Sequence, residues 1–209
     1  MLIVSRIRSL AAAVGFGAVL SACGHMPVAT MVALRNFDFA TFNPAALRVA
    51  ARAPDWIDAR PGGARLTVKL WASGQENDKR TEVFVLNEAN GVLESSPLAE
   101  FRQPGTRLAA YKIAEADHAR VRALQAEGRE LKQRNPGRSH MALTIDLDGC
   151  RRGPLAEGPI LTTTLLKPDA ASGYLVFLDR VDLRRVVKDA GKDLDAELPP
   201  CGKLSARAE

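Results

Sequence analysis

Three histidines, three cysteines and a scatter of carboxylates are the residues here with chemical potential, and their spacing limits what they can do. Glu115, Asp117 and His118 put two acids and an imidazole close together, but successive residues on a helix point in different directions. The i,i+4 spacing of a zinc-type His-Glu-x-x-His pair is missing, so we expect a solvated helix start whose acids complement the helix dipole. Asp146-Leu147-Asp148-Gly149 has the outline of a calcium-loop fragment. Thr144 and Leu155 stand where such a loop needs further oxygen ligands, and a strand running into a turn is expected instead. His25 lies near the start of the chain and His140 follows Ser139, but adjacency in sequence does not make a nucleophile–base pair. The same holds for Ser95-Ser96. No Gly-x-Ser-x-Gly elbow, phosphate loop or dinucleotide fingerprint occurs. We therefore expect no catalytic residue, no metal ligand and no cofactor.

Cys23 has a more informative setting. Arg6 and Arg8 precede Leu10–Leu20, an uncharged and mostly apolar run that is too short to cross a bilayer as a helix. This is the layout of a secretory signal, although an ordinary cleavage site would want a small residue where Leu20 stands. Leu20-Ser21-Ala22-Cys23 resembles the lipobox of bacterial lipoproteins. That resemblance implies removal of residues 1–22, a diacylglyceryl group on the Cys23 sulfur and acylation of the new amino end. Two or three acyl chains make a lasting anchor where one gives only marginal binding. Gly24 in place of the Asp associated with inner-membrane retention implies an outer-membrane protein facing the periplasm. Met31–Pro54, rich in Ala and Arg, is similar to uncharacterised alphaproteobacterial lipoproteins, and no activity comes with that similarity.

With Cys23 taken by lipid, Cys150 and Cys201 remain. An even pair in an exported chain suggests a disulfide, because the periplasm is kept oxidising. Such a bond would close a loop of about fifty residues and stabilise by on the order of 4 kcal/mol in the chain-entropy model. Redox-active pairs more often show Cys-x-x-Cys spacing, which is absent. Gly149-Cys150 and Cys201-Gly202 read as turn-like sequence, and the bond would pin the C-terminal segment to the end of a strand.

The elements that must carry these residues follow from periodicity. Residues 23–29 read as a lipidated tether, 30–201 as a single globular periplasmic domain and 202–209 as a loose tail. Arg65–Ala72 alternates, with Leu66, Val68 and Leu70 on one face and Thr67, Lys69 and Trp71 on the other. Thr81–Asn87 returns as its hairpin partner. Further strands are expected at Met31–Arg35, Leu47–Ala53, Arg107–Ile113, Met141–Leu147, Ile160–Lys167 and Tyr174–Leu178. The last lacks alternation and is expected to be buried on both faces. Residues 115–134 predict one long helix, with Val121, Leu124, Gly128 and Leu131 forming its apolar stripe. Asn135-Pro136-Gly137 stops it. Asp182–Ala190 predicts a short helix with Leu183, Val186 and Val187 inward. The fold class is thus α+β: a mainly antiparallel sheet of about seven or eight short strands, with the long helix either covering one face or forming a crossover.

Composition narrows the function. The chain has 29 basic and 24 acidic residues; without Arg6 and Arg8 the mature balance is 27 against 24, or +3. That charge is mild and unclustered, which argues against nucleic acid as a partner. Arg151-Arg152 reads as exposed turn charge, with an anionic lipid or polymer contact as the alternative. Trp71, on the strand face that otherwise reads as wet, is the candidate for contact with a ligand or a partner. It could also simply be covered by the helix or the N-terminal segment.

We expect an accessory or structural envelope lipoprotein acting through contact with an envelope protein, held at the membrane by its lipid. The alternative is a periplasmic binding module for a small ligand, lipid or cell-wall glycan, which requires a concave apolar or Trp71-lined pocket. A hydrolase would need His118 or His140 beside a hydroxyl or carboxylate in one cleft.

Overall fold

The computed structural model describes residues 40–89 and 96–203. The signal segment, Cys23, the tether and the expected strand Met31–Arg35 lie outside these residues, as does the chain from 204 onward. The strands are β1 (Arg48–Pro54), β2 (Ile57–Ala72), β3 (Arg80–Glu88), β4 (Thr106–Ile113), β5 (Ser139–Arg151), β6 (Leu161–Lys167) and β7 (Leu175–Asp182). The helices are α1 (His118–Arg134), α2 (Leu183–Asp189) and α3 (Leu194–Glu197). All seven strands join one antiparallel sheet in the order β5-β2-β3-β4-β1-β6-β7.

The architecture is mixed α and β and mostly sheet, as the periodicities predict. The strands are not uniformly short: β2 runs for 16 residues and β5 for 13. β2 begins eight residues earlier than its alternation signals, because its first half is interrupted by Pro61-Gly62-Gly63. The register against β5 shifts between Ala59 and Ala64 at that point. A bulge there absorbs the proline, which lacks a donor for the ladder, and bends the strand. Gly62 takes φ +67°, open to glycine without strain, and a Cβ on Gly63 would sit 2.8 Å from the Asp148 carbonyl.

α1 settles the choice between cover and crossover by being both. It leaves β4 and enters β5, three positions along the sheet with β3 and β2 between them, and so lies over the intervening sheet face. Its expected stripe is the packed one. Val121 and Leu124 are fully buried, Leu131 joins the same cluster, and a Cβ on Gly128 would lie 3.7 Å from the Leu70 side chain. Leu66, Val68 and Leu70 of β2 and Phe84 and Leu86 of β3 meet them. A 3-10 turn at Glu115–Asp117 precedes the α-helix, and Asn135 closes it by donating from N and Nδ2 to the Leu131 carbonyl.

The opposite face of β4, β1, β6 and β7 is covered by the segment after residue 96. Leu98 and Phe101 there pack on Ala50, Ala110 and Leu165. The expectation that Tyr174–Leu178 is buried on both faces is corrected. β7 is an edge strand, and Leu175–Leu178 are only half-buried. Its missing alternation has another cause: two register shifts against β6 rotate successive residues. Val176 then packs on the outer cluster while Leu178 faces the inner side.

The C-terminal segment is tied down where the sequence suggests. Cys150 near the end of β5 is bonded to Cys201, with Cα atoms 4.9 Å apart. Beside it Arg151 donates from its backbone N to the Pro199 carbonyl and from Nε to the Leu198 carbonyl. α3, started by an Asp193 side chain that accepts from the Asp195 N–H, has no counterpart among the expected elements. Asp146–Gly149 lie wholly within β5, so the expected turn there is not formed.

Candidate functional site

The inner face of the sheet changes character along its length. In one row across β4, β1 and β6 stand Tyr111, Val49 and Leu166, all buried in the main core. One pleat further along the same three strands stand Ala109, Ala51 and Thr164. The next row continues with Arg107 and Ala53. Large side chains fill the sheet beneath α1, and small ones leave a floor beyond it.

Above this floor is a cleft of about 420 Å³. Ile145 and Leu147 of β5 form one wall, although β5 is one edge of the sheet. Leu178 and Val181 of β7, the other edge, form the opposite wall. Strands six positions apart can line one cleft only if the sheet curls strongly, which right-handed twist and the bulge in β2 promote. Leu183, Val186 and Val187 of α2, with Leu194 and Leu198 of the C-terminal segment, close the remaining side. The expectation that Leu183, Val186 and Val187 point inward is therefore met only in part: they turn toward the cleft, and Val186 remains 49% exposed.

Charge gathers at the end away from α1. Arg107 lies four residues before Tyr111 on β4, roughly 13 Å along a strand. It pairs with Asp58 of β2, and the same carboxylate is met by Arg152 Nε at 3.1 Å. Two guanidinium groups thus share one carboxylate. Asp148 is matched by Arg65 at 2.8 Å and Glu197 by Lys192 at 3.1 Å. Asp146 lies within 3.5 Å of the Thr67 hydroxyl.

Tyr111, at the inner end, has its hydroxyl pKa raised, first by burial and then by Glu88, with Arg107 opposing. A raised folded-state value means that the folded protein holds this proton more tightly than the unfolded chain does. The stabilisation is fully present below the ordinary tyrosine value of about 10 and is lost as pH rises through the folded value. We expect unfolding free energy to fall more steeply with alkaline pH in the native protein than in Tyr111→Phe. Urea titrations at a series of alkaline pH values measure this, and parallel curves for the two proteins would refute it.

Of the residues singled out by their chemistry, Asp146–Gly149 line this cleft, while His118, His140 and Trp71 do not. Trp71 is half-buried on the outer face of β2. It stacks on His140 of the neighbouring β5 at 5.4 Å, and Lys79, from the β3 side, lies 4.9 Å from the ring centroid. Among the described residues those neighbours flank it, and Trp71 is not among the cleft-lining residues. His140 Nε2 also lies 2.7 Å from the Ser73 hydroxyl, a pairing that sequence adjacency does not suggest. This pair sits on the exposed surface, away from the cleft. Asp117 pairs with Arg120 at 3.1 Å, while the Nε2 of His118 is buried without a partner. The acidic cluster around His118 is thus a helix start and forms no ligand set. Among the described residues no group of three or more His, Cys, Asp or Glu is placed to hold a metal ion, and no helix is long and apolar enough to cross a membrane.

No protein-family model matches the chain, and no curated protein or solved structure is similar to it at a significant level. The cleft stands on its own geometry.

Sequence reading missed its floor. The signal was available in Arg48–Pro54 (RVAARAP) and in Leu108–Tyr111 (LAAY). Alanine is depleted in strands because it offers little to pack. Alanines on facing positions of two central strands mark a place where the fold leaves room.

Proposed function

We propose that this chain is a lipid-anchored envelope protein whose folded domain works by binding an apolar ligand in the inner cleft, and not by catalysis. The observation that carries this is the step from Tyr111, Val49 and Leu166 to Ala109, Ala51 and Thr164 on adjacent rows of one sheet face. A sheet built only for stability would fill that face, since close packing is the norm in protein interiors. A cleft of about 420 Å³ falls within the range of small-molecule sites, roughly 300–1,000 Å³. Its walls are aliphatic, and the Asp58–Arg107 pair stands at the end away from Tyr111, a division between affinity and orientation.

The anchor is the part of this reading carried by Cys23. Lipid on that sulfur would hold the domain at the outer membrane, facing the periplasm. Cys23→Ala should shift the protein from the envelope to the soluble fraction. Mass spectrometry of the membrane-purified protein should find acyl chains on residue 23 and none upstream of it. Unchanged sedimentation of the variant would remove the anchor.

The binding half is tested with an uncharged apolar dye such as N-phenyl-naphthylamine. Native protein should enhance its fluorescence saturably, and Ala109→Phe, which puts a ring on the floor, should remove the saturable part while leaving the circular dichroism unchanged. Equal enhancement by both proteins would overturn the assignment of the cleft.

An accessory role through contact with another envelope protein is the second reading. It draws on the outer face of β3, where Val83 and Val85 are 45% and 44% exposed. Their side chains stand beside Thr67 and Arg65 of β2, an open face that a partner could cover. Crosslinking in intact cells, with loss of the crosslinked product in Val83→Asp, is the measurement that would favour it.

A further inference from the structure

We infer that the ligand of the cleft is a single-chain fatty carboxylate, lying along the small-residue floor with its head at Arg107; this rests on the binding reading above. Three observations select that chemistry.

The first is the lining. Tyr111 is the one aromatic residue among the cleft-lining residues, and the walls are Ile, Leu and Val. Stacking surfaces for a sugar or nucleobase are therefore lacking, whereas flexible methylene chains pack well on aliphatic walls.

The second is the floor's backbone. β1 and β6 are each hydrogen-bonded to strands on both sides, and β4 is paired with β1 along the floor. The amide and carbonyl groups at the centre of the floor are engaged within the sheet, and a peptide laid across Ala51 and Thr164 would leave its own polar backbone unsatisfied there. An alkyl chain brings no such groups.

The third is charge. Asp58 is shared by Arg107 and Arg152, which leaves one positive charge in excess at the end of the floor. Of the other acids near the cleft, Asp148 is paired with Arg65 and Glu197 with Lys192, and the Asp146 carboxylate is turned to Thr67 on the outer face of β2. An anionic head is thus matched at one end and a cationic head is not. Guanidinium forks suit planar carboxylates in particular. The cleft volume lies in the lower part of the range for small-molecule sites, which suits one chain better than the two of a phospholipid.

The test is calorimetric titration of the chain from residue 23 onward carrying Cys23→Ala, which has no lipid of its own and needs no detergent. Four amphiphiles with the same dodecyl chain are compared below their micelle thresholds: the carboxylate, the phosphate, the trimethylammonium and the maltoside. We expect dodecanoate to bind tightest, at least tenfold above the trimethylammonium. Arg107→Gln should weaken dodecanoate about fivefold, the equivalent of about 1 kcal/mol for a partly exposed ion pair, and leave the maltoside unchanged. Ala109→Phe should abolish binding of all four, and Ala51→Val provides a milder obstruction should the larger substitution disturb folding.

Equal affinities for all heads would overturn the carboxylate assignment while leaving the binding reading in place. Tighter binding of the phosphate would replace carboxylate by phosphate. Failure of all four amphiphiles to bind native protein would bring down the binding reading itself.

Discussion

Replacing both Cys150 and Cys201 by serine should lower the unfolding free energy by about 4 kcal/mol, the value the chain-entropy model assigns to a loop of this length. The bond spans 51 residues, so the denatured chain without it gains much freedom. That loss is of the same order as the whole stability of many domains, which is about 5–15 kcal/mol. The folded state should survive at moderate temperature, because the C-terminal segment keeps other ties. Leu198 is buried against Ile57 and Ile160, Arg151 holds the Leu198 carbonyl and Asp195, and Arg151 N–H meets the Pro199 carbonyl. Urea unfolding of the native and doubly substituted proteins, both under non-reducing conditions, measures the difference. A difference below about 1 kcal/mol would mean that the denatured state is already restrained, or that the bond does not form in the cell. Because Leu194 and Leu198 form part of the cleft wall, the substituted protein should also bind the apolar dye more weakly.

Phe84→Ala should cost about 3–5 kcal/mol, the usual range for deleting a fully buried phenyl group. Phe84 is the largest of the side chains with no exposure and sits where β3 meets α1 in the main core. The Arg120 guanidinium lies 4.4 Å from its ring centroid, and the same residue reaches Glu82, Asp117 and the Val83 carbonyl. Removing the ring therefore leaves a void in the core that the helix shares and also removes a face on which one of its arginines rests. Phe84→Leu keeps most of the volume and should cost less than the alanine substitution by at least half. Chemical denaturation of the three proteins gives the comparison. Equal stability of native and alanine variants would mean that α1 does not pack on this part of the sheet.

Much of the scaffold was legible because it rests on local period. Leu66, Val68 and Leu70 on alternate positions of β2, and Val121, Leu124 and Leu131 on one stripe of α1, all occupy the main core where periodicity puts them. Asn135-Pro136-Gly137 ends the helix for reasons contained in three residues. The Cys150–Cys201 pairing was legible by elimination, once Cys23 was given to lipid. Elements whose shape depends on a neighbour were not legible. The early half of β2 is a strand because β5 pairs with it on either side of a bulge. β7 lost its alternation to register shifts against β6. α3 depends on the anchoring of the segment around it.

The site was the least legible part. Of the residues that drew notice for their chemistry, His118, His140 and Trp71 lie away from the cleft, Trp71 and His140 stacked on each other and His118 at the start of α1. The residues that define the cleft are chiefly alanines, valines and leucines, whose types announce nothing singly. Arg107, Asp58 and Arg152 are far apart in sequence and meet only across strand ladders.

By itself the amino-acid order determined the signal-like start with its cysteine, the mild charge, the period of each main strand and of the long helix, and which two thiols remain to be joined. Those properties depend on neighbours along the chain. The order of strands, the curl that brings both sheet edges to one cleft, the empty row over Ala51 and Ala109 and the sharing of Asp58 by two arginines were decided only by the tertiary structure. Each is a relation between residues brought together by pairing, and such relations have no local signature.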